Sequence, residues 1–403
     1  MSGRSIGIGL GAQADRAAEA RGRMPAGILP NRQATLRDMS HISSISGDVT
    51  FGDGEIHMGA QSRVTINGNF SGNLWVHTIT RDTEGSHRAR FLAPTYQAES
   101  TRQADGMQTW KFPNATAQGQ LDFVTGSNAR CTLMGIQVVD MDAVLQKPAK
   151  VVLALGQSLM ECNVEALGVD RRFDHWPSAR CLYLPGFTYS GRGTTRAEAH
   201  ALHVPLQFRS VGNGVSPAAG FAQELMPFVP ESHSLVIAAG AWSNTSLVGD
   251  DGDWNPLATT ADRTAYADAV SLIQDGMAGL PAGSEIIGAL WAQGQGDHSP
   301  DFDQTYPPAF AAMRAQMQAD LGIGDIPWSI LGPPPVGDAT LQDLFRETQA
   351  NMDQDSGHAL AQPGVHTVNH PTGYITDGTH VSAWGSRVMG RLAARRFVAE
   401  GYL

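Results

Sequence analysis

Val151-Val152-Leu153-Ala154-Leu155 runs straight into Gly156-Gln157-Ser158, and this junction decides the fold. Five apolar residues closed by a glycine fit a parallel strand buried on both faces. The pattern recurs three times, as SLVIAAG over 234–240, EIIGALWAQG over 285–294 and IPWSILG over 326–332. Helix-like stretches lie between: AAGFAQELM before the second run, RTAYADAVSLIQDGMAGL before the third and AFAAMRAQMQADLG before the fourth. Strands alternating with helices predict a three-layer α/β domain, a parallel sheet with helices on both faces. Leu145–Lys150 reads as a linker, so this domain is expected over residues 150–403.

Upstream the character of the sequence changes. Residues 49–145 hold short β-like runs, among them SRVTI, NLWVHTIT, HRARFLAP, QTWKF, GQLDFVT and ARCTLMGIQVVDM, separated by turn residues. Strands at this spacing predict a small antiparallel β-sandwich. Asn67-Gly68, between two of the runs, predicts a hairpin turn, because glycine tolerates the positive φ such a turn requires. Residues 1–48 contain GIGLGAQA, ADRAAEARGR and MPAGILPNRQ, with no material for a core. They predict an N-terminal arm that orders against a partner.

Composition excludes several classes of function. Glycine supplies 45 of 403 residues, above the usual ~7%, which suits short strands and tight turns. The net charge of -11, from 28 basic and 39 acidic side chains, argues against nucleic acid, whose phosphates need positive surface. No apolar run approaches the ~18 residues of a membrane span, so no membrane partner is expected. Cys131, Cys162 and Cys181 are scattered with no CxxC pair, which predicts reduced thiols and neither a disulfide framework nor a zinc site. His298, His358, His366 and His370 lack metal-ligand spacing. No metal or organic cofactor is expected.

In sheets of this kind reactive groups gather beyond the carboxyl ends of the strands. Ser158 stands there after the first strand. A serine hydroxyl is a weak nucleophile and needs a base beside it; a helix N-cap serine would explain the motif equally well. The C-terminal stretch Asp377-Gly378-Thr379-His380 supplies a candidate base. A carboxylate three residues before a histidine can take the imidazole Nδ1 proton within one local turn and leave Nε2 facing the serine. Acyl-transfer chemistry also needs donors for an oxyanion. The Gln293 amide, the Ser158 backbone N–H, and a backbone N–H or the Asn244 amide in Trp242-Ser243-Asn244-Thr245 are the candidates. Trp176, Trp242 and Trp254 are either core residues or sugar-stacking platforms.

From the first strand to the C-terminus these segments resemble the SGNH (GDSL-like) hydrolase superfamily. More narrowly, they are similar to the sialate O-acetylesterase and acetylxylan esterase branch, with its GQSN nucleophile motif, GGT-like turn, WxQGE stretch and terminal DxxH. The resemblance implies Ser158 as nucleophile, Asp377 and His380 as the catalytic pair, and Gln293 in the oxyanion hole. Three positions depart from the pattern: Leu159 replaces asparagine, Ser243-Asn244 replaces the glycine pair, and Gln295 replaces glutamate.

The implied activity is removal of O-acetyl groups from carbohydrate by a serine esterase. The start of the sequence lacks the continuous apolar core of a secretory signal, an odd context for an enzyme acting on external polysaccharide. An arm, a β module and a distal sugar-modifying domain would suit a homo-oligomeric spike on a virion or phage-like particle, its arm docked on particle structural proteins and its substrate a host-surface or capsular polysaccharide. The alternatives are a non-catalytic receptor-binding spike that keeps the SGNH fold, and a cytoplasmic esterase for small acyl substrates.

Overall fold

A computed structural model describes Gln33–Ala34, the strands and adjoining turns between residues 42 and 140, and residues 144–161, 180–184, 200–201, 215–261, 264–333, 339–370 and 380–403. These divide into two compact units, the second beginning at Lys147.

The N-terminal unit contains two antiparallel sheets. In one, Val49–Gly52, Glu55–Met58, Arg130–Asp140, Gly72–Glu84 and Gly106–Ala115 lie side by side in that order, and Gln33–Ala34 also pairs with Arg130–Asp140. In the other the order is Ile42–Ser46, Arg63–Asn69, Gln118–Thr125, His87–Phe91 and Gln97–Ala98. Ile56 and Leu133 of the first sheet and Val64 and Phe123 of the second are buried, as inward-facing sandwich positions should be. Two expectations are corrected here. Asn67-Gly68 is no hairpin turn: it lies within Arg63–Asn69, paired with Gln120 and Gly119 of the neighbouring strand. Local turn preference yields where both flanking residues already complete a ladder. Gln33–Ala34 and Ile42–Ser46, inside the expected arm, are sheet strands; the remainder of residues 1–41 lies outside the described residues.

The second unit is the α/β domain. Its strands are β1 (Ala149–Gly156), β2 (Cys181–Leu184), β3 (His200–Ala201), β4 (Ser234–Ala239), β5 (Glu285–Ala292), β6 (Trp328–Leu331) and β7 (Val365–Val368). They form one seven-stranded sheet in the order β3-β2-β4-β1-β5-β6-β7. All pairings are parallel except that of the edge strand β3. Helices are α1 (Ser158–Glu161), α2 (Pro217–Leu225), α3 (Ala265–Ala278), α4 (Phe302–Leu321), α5 (Ala339–Asn351) and α6 (Ala383–Ala399). The third helix-like stretch therefore begins earlier than its sequence suggests, with Pro307 and Pro308 inside α4. Among the described residues no helix is long and apolar enough to cross a membrane.

The sheet is buried on both faces, which is why its strands read as unbroken apolar runs. One cluster joins Val152, Ala154, Ile237 and Leu290 to Phe221 of α2 and Phe397 of α6, whose rings meet edge to face at 5.7 Å. Glycine permits this intimacy: a Cβ on Gly390 would stand 2.0 Å from Pro217 O, and one on Gly220 2.8 Å from Arg387 O. Trp254 and Trp328 pack against Trp291 at 5.1 and 6.2 Å. Trp254 is completely buried, a core residue and no sugar platform; Trp242 is half-buried, and Trp176 lies outside the described residues. Cys131 and Cys181 are buried, and burial pushes the Cys181 thiol up to about 12.

Candidate active site

β4, β1 and β5 are neighbours in the sheet, so the segments that follow their carboxyl ends come together. After β1 the chain turns at Gly156, with φ +126°, where a Cβ would stand 2.3 Å from Ala292 O. No other residue fits so close a backbone approach at that φ. The Gln157 N–H donates to Ala292 O at 2.8 Å, and α1 starts at once with Ser158. Ser158 is half-buried, whereas Leu159, Met160 and Glu161 are buried. Leu159 and Met160 belong to the core cluster, so the position filled by asparagine in the resembled motif here anchors the turn by packing.

After β4 the Trp242 N–H donates to Gly156 O at 2.9 Å, tying this loop to the serine turn. Ser243 Oγ donates to the buried Glu161 Oε2. Asn244 is exposed with φ +56°. Asparagine is one of the few non-glycine residues that enters the left-handed region readily, which explains how it can stand in a turn resembling GGT. Thr245 Oγ1 donates to Trp242 O at 2.7 Å and accepts from Trp254 Nε1 at 2.9 Å.

After β5, Gln293 is bound to the loops on either side of it. Its amide Nε2 donates to Thr245 O at 3.0 Å and to Asp297 Oδ2 at 2.6 Å. Both N–H groups are thus engaged on a side chain 1% exposed, and Gln293 ties two loops together. Its main-chain carbonyl oxygen accepts from Tyr306 Oη at 3.1 Å and Gln349 Nε2 at 2.9 Å. Gln295 takes part in a neutral pair: Gln157 Nε2 donates to its Oε1 at 3.0 Å. Two amides thus satisfy each other where a glutamate would have added charge.

His380 is half-buried and stands just before α6. Ser382 caps that helix by accepting from the Gly385 N–H at 3.1 Å. Val381 shares the core cluster with Leu159 and Met160. Ser216, the N-cap of α2, reaches Met160 Sδ at 3.9 Å, while its neighbour Val215 packs with Ala219 and Ala383. The residues flanking His380 and those flanking Ser158 are therefore held by the same end of α2. Among the described residues no hydrogen bond joins Ser158 to His380. Asp377 lies outside the described residues. Glu161 and Asp297 belong to the same region without having been singled out from the sequence. Asp297 was legible as a carboxylate four residues beyond Gln293, whereas nothing local marks Glu161.

Two of the other histidines are bound locally. His366 is buried, its Nε2 2.8 Å from Tyr402 Oη, and the exposed His358 accepts the Leu360 N–H. Asp353, Asp355 and His366 bring potential ligand atoms within 4.8 Å of one another. Arg396 already pairs with both carboxylates, so a resident cation occupies that charge.

The sequence model of a carbohydrate esterase family, the sialic acid-specific acetylesterases, matches residues 148–399. The chain belongs to this family. The match spans the α/β unit from β1 through α6 and makes the protein a carbohydrate O-acetylesterase within the SGNH-type hydrolases. No curated protein matches the chain. Similar solved structures include a protein from Arabidopsis thaliana, 16% identical over 64% of this chain and 100% of that one, with a TM-score of 0.49. NanS is 16% identical over 63% and 99%, with a TM-score of 0.46. A carbohydrate acetylesterase from Xanthomonas citri is 17% identical over 84% and 72%, with a TM-score of 0.41.

Proposed function

We propose that this acetylesterase works through Ser158 as nucleophile, His380 as general base and Asp377 as the carboxylate that orients it. The observation that carries the proposal is the position of Ser158: half-buried, on a glycine-forced turn after the central strand. Ser158 attacks the acetyl carbonyl while His380 takes the hydroxyl proton and then returns it to the departing sugar hydroxyl. Water, deprotonated by the same imidazole, releases acetate from the acyl-enzyme. The Ser158 backbone N–H and the Asn244 turn supply the oxyanion donors. Gln293 supports that turn from behind.

The substrate in this proposal is an O-acetylated polysaccharide of a host surface or capsule, and the setting a phage-like particle. The support is architectural: a separate β unit lies ahead of an esterase unit that holds every candidate site residue. Departures such as those at Leu159, Asn244 and Gln295 would fit drift towards a non-catalytic sugar binder. Each now has a local account, in packing, left-handed backbone and a neutral amide pair, which favours catalysis.

Acetate release from O-acetylated capsular polysaccharide and from an aryl acetate, by wild type and Ser158→Ala, tests the assignment. The variant should lose at least ~10³-fold in rate. Equal rates would remove Ser158 from the mechanism; co-sedimentation of the protein with particles tests the setting separately.

A further inference from the structure

The tight turn Gln295-Gly296-Asp297 touches both loops from which the proposed oxyanion donors come. On one side Gln295 accepts from Gln157, the residue before Ser158, and the Gly296 N–H reaches Gln157 Oε1 at 3.4 Å. On the other side the Asp297 carboxylate accepts from the Leu247 N–H at 2.9 Å, the Val248 N–H at 2.8 Å and Gln293 Nε2 at 2.6 Å. Gly296 itself lies so close to Thr245 that a Cβ would stand 2.6 Å from its carbonyl oxygen. The neighbouring Ser246 N–H is held by Asp253 Oδ2 at 2.9 Å. Three consecutive backbone N–H groups, at 246, 247 and 248, are thus taken up by two carboxylates immediately after Asn244.

We propose that Asp297 is a positioning residue, which fixes the Asn244 turn against Ser158 through Gln293 and the Leu247 and Val248 N–H groups. The proposal rests on the oxyanion role given above to Asn244 and Ser158. A carboxylate is the fitting group because it only accepts, and all three partners only donate. An asparagine of the same shape turns an N–H towards Gln293 Nε2. Gln293 can answer by flipping its amide, but the flip takes its N–H away from Thr245 O and releases the loop.

Charge gives the proposal a readout that a purely structural role would not move. Burial raises the Asp297 carboxyl above the usual carboxylate range; Asp253 adds to this, and the hydrogen bonds from Gln293, Val248 and Leu247 oppose it. The buried Tyr306 hydroxyl, which donates to Gln293 O, is the other titratable group facing it. A carboxyl with a raised folded-state pKa is penalised when ionised. Its favourable share of stability is present at low pH and is lost as pH rises through the unfolded and then the folded value. Ionised, Asp297 therefore costs stability, a cost that positioning would explain.

The experiment measures aryl acetate kinetics and thermal unfolding for wild type, Ser158→Ala, Asp297→Asn, Gln293→Ala and the Gln293→Ala/Asp297→Asn pair. Asp297→Asn should lower kcat about 10- to 100-fold, as loss of a partner supporting reactive groups does, with Tm unchanged or raised. Beside the acid limb of the general base His380, the wild-type kcat profile should carry a contribution from Asp297 that the asparagine variant lacks. The double variant should lose little more than either single one, since both cut the same connection. Unchanged kcat in Asp297→Asn, beside an inactive Ser158→Ala, overturns this inference alone. A fall in kcat matched by a fall in Tm overturns it too, as does a kcat profile whose acid side is the same in wild type and Asp297→Asn. An active Ser158→Ala overturns the catalytic assignment beneath it. If Asp297→Asn does not fold, additive losses in Gln293→Ala and Asp253→Asn count against the clamp, and coupled losses support it.

Discussion

Gly156 and Asn244 carry the two sharp turns beside the candidate nucleophile, and each turn depends on a different tolerance for positive φ. At Gly156 both backbone and space are demanding, since φ is +126° and Ala292 O leaves no room for a Cβ. Gly156→Ala should therefore cost about 1–3 kcal/mol in backbone strain alone, with the clash added. At roughly 2–4 °C per kcal/mol for a unit of this size, thermal unfolding resolves it easily, and a Tm within a degree of wild type would contradict the turn. At Asn244 only the backbone is demanding. Asn244→Ala should lose about 1–2 kcal/mol, the left-handed penalty for an ordinary side chain, and Asn244→Gly should not; urea midpoints of the pair decide it. Residue identity was readable here because glycine, serine and the DxxH spacing are chemical signals. The bonds that Gln293 makes were not readable, for an equally physical reason. A sequence places an amide at a strand end but does not show that Asp297 and Thr245, one four residues ahead and the other on a different loop, already take both its N–H groups.

At the scale of elements, the four long apolar runs were legible because burial on both faces leaves no polar interruption. β2, β3 and β7 were not. They are two to four residues long, and β7 carries His366 and Thr367 within VHTV. α5 was missed as well, and α4 extends upstream through two prolines that read as a boundary. The contact between α2 and α6 is the element-level feature that matters most for the site, because α6 begins just after His380. Gly390→Ala pushes a methyl into Pro217 O and the Phe221 N–H. Overpacking of this kind costs about 1–3 kcal/mol, and kcat should fall with it as the start of α6 shifts; intact kcat with a lowered Tm would separate the helix contact from the site. β7 offers a pH test. Burial, and then Arg396, lower the His366 pKa, against Asp353, Glu400 and Asp355, which raise it. With the folded value below the usual value of about 6.5, its stabilising share is present above that pH and is lost as pH falls from there towards the folded value. His366→Asn should flatten the dependence of Tm on pH between about 7 and 5; an unchanged slope would assign the acid sensitivity elsewhere.

At the scale of the whole molecule, chemistry and architecture are divided between the two units. Gln157, Ser158, Glu161, Ser243, Asn244, Gln293, Asp297 and His380 all belong to the unit that begins at Lys147, and so do the hydrogen-bond partners named above. That unit also closes its own core, with the central strands buried on both faces. A chain of residues 147–403 should therefore fold, unfold cooperatively and hydrolyse an aryl acetate with kcat/KM within about threefold of the full chain, as expected of a domain with its own core. The N-terminal truncation needs a different boundary from the one its composition suggests. Removing residues 1–48 takes away Gln33–Ala34 and Ile42–Ser46 and leaves the Arg63–Asn69 edge unpaired, which invites aggregation. Removing residues 1–30 spares both strands. The shorter deletion should keep the full chain monodisperse and active, and the longer one should lower solubility without touching the aryl acetate rate of the molecules that remain folded. Size-exclusion profiles and active-site titration of both deletions make the comparison. Loss of aryl acetate turnover in soluble, folded 147–403 would mean that the N-terminal unit completes the site, contrary to the division drawn here.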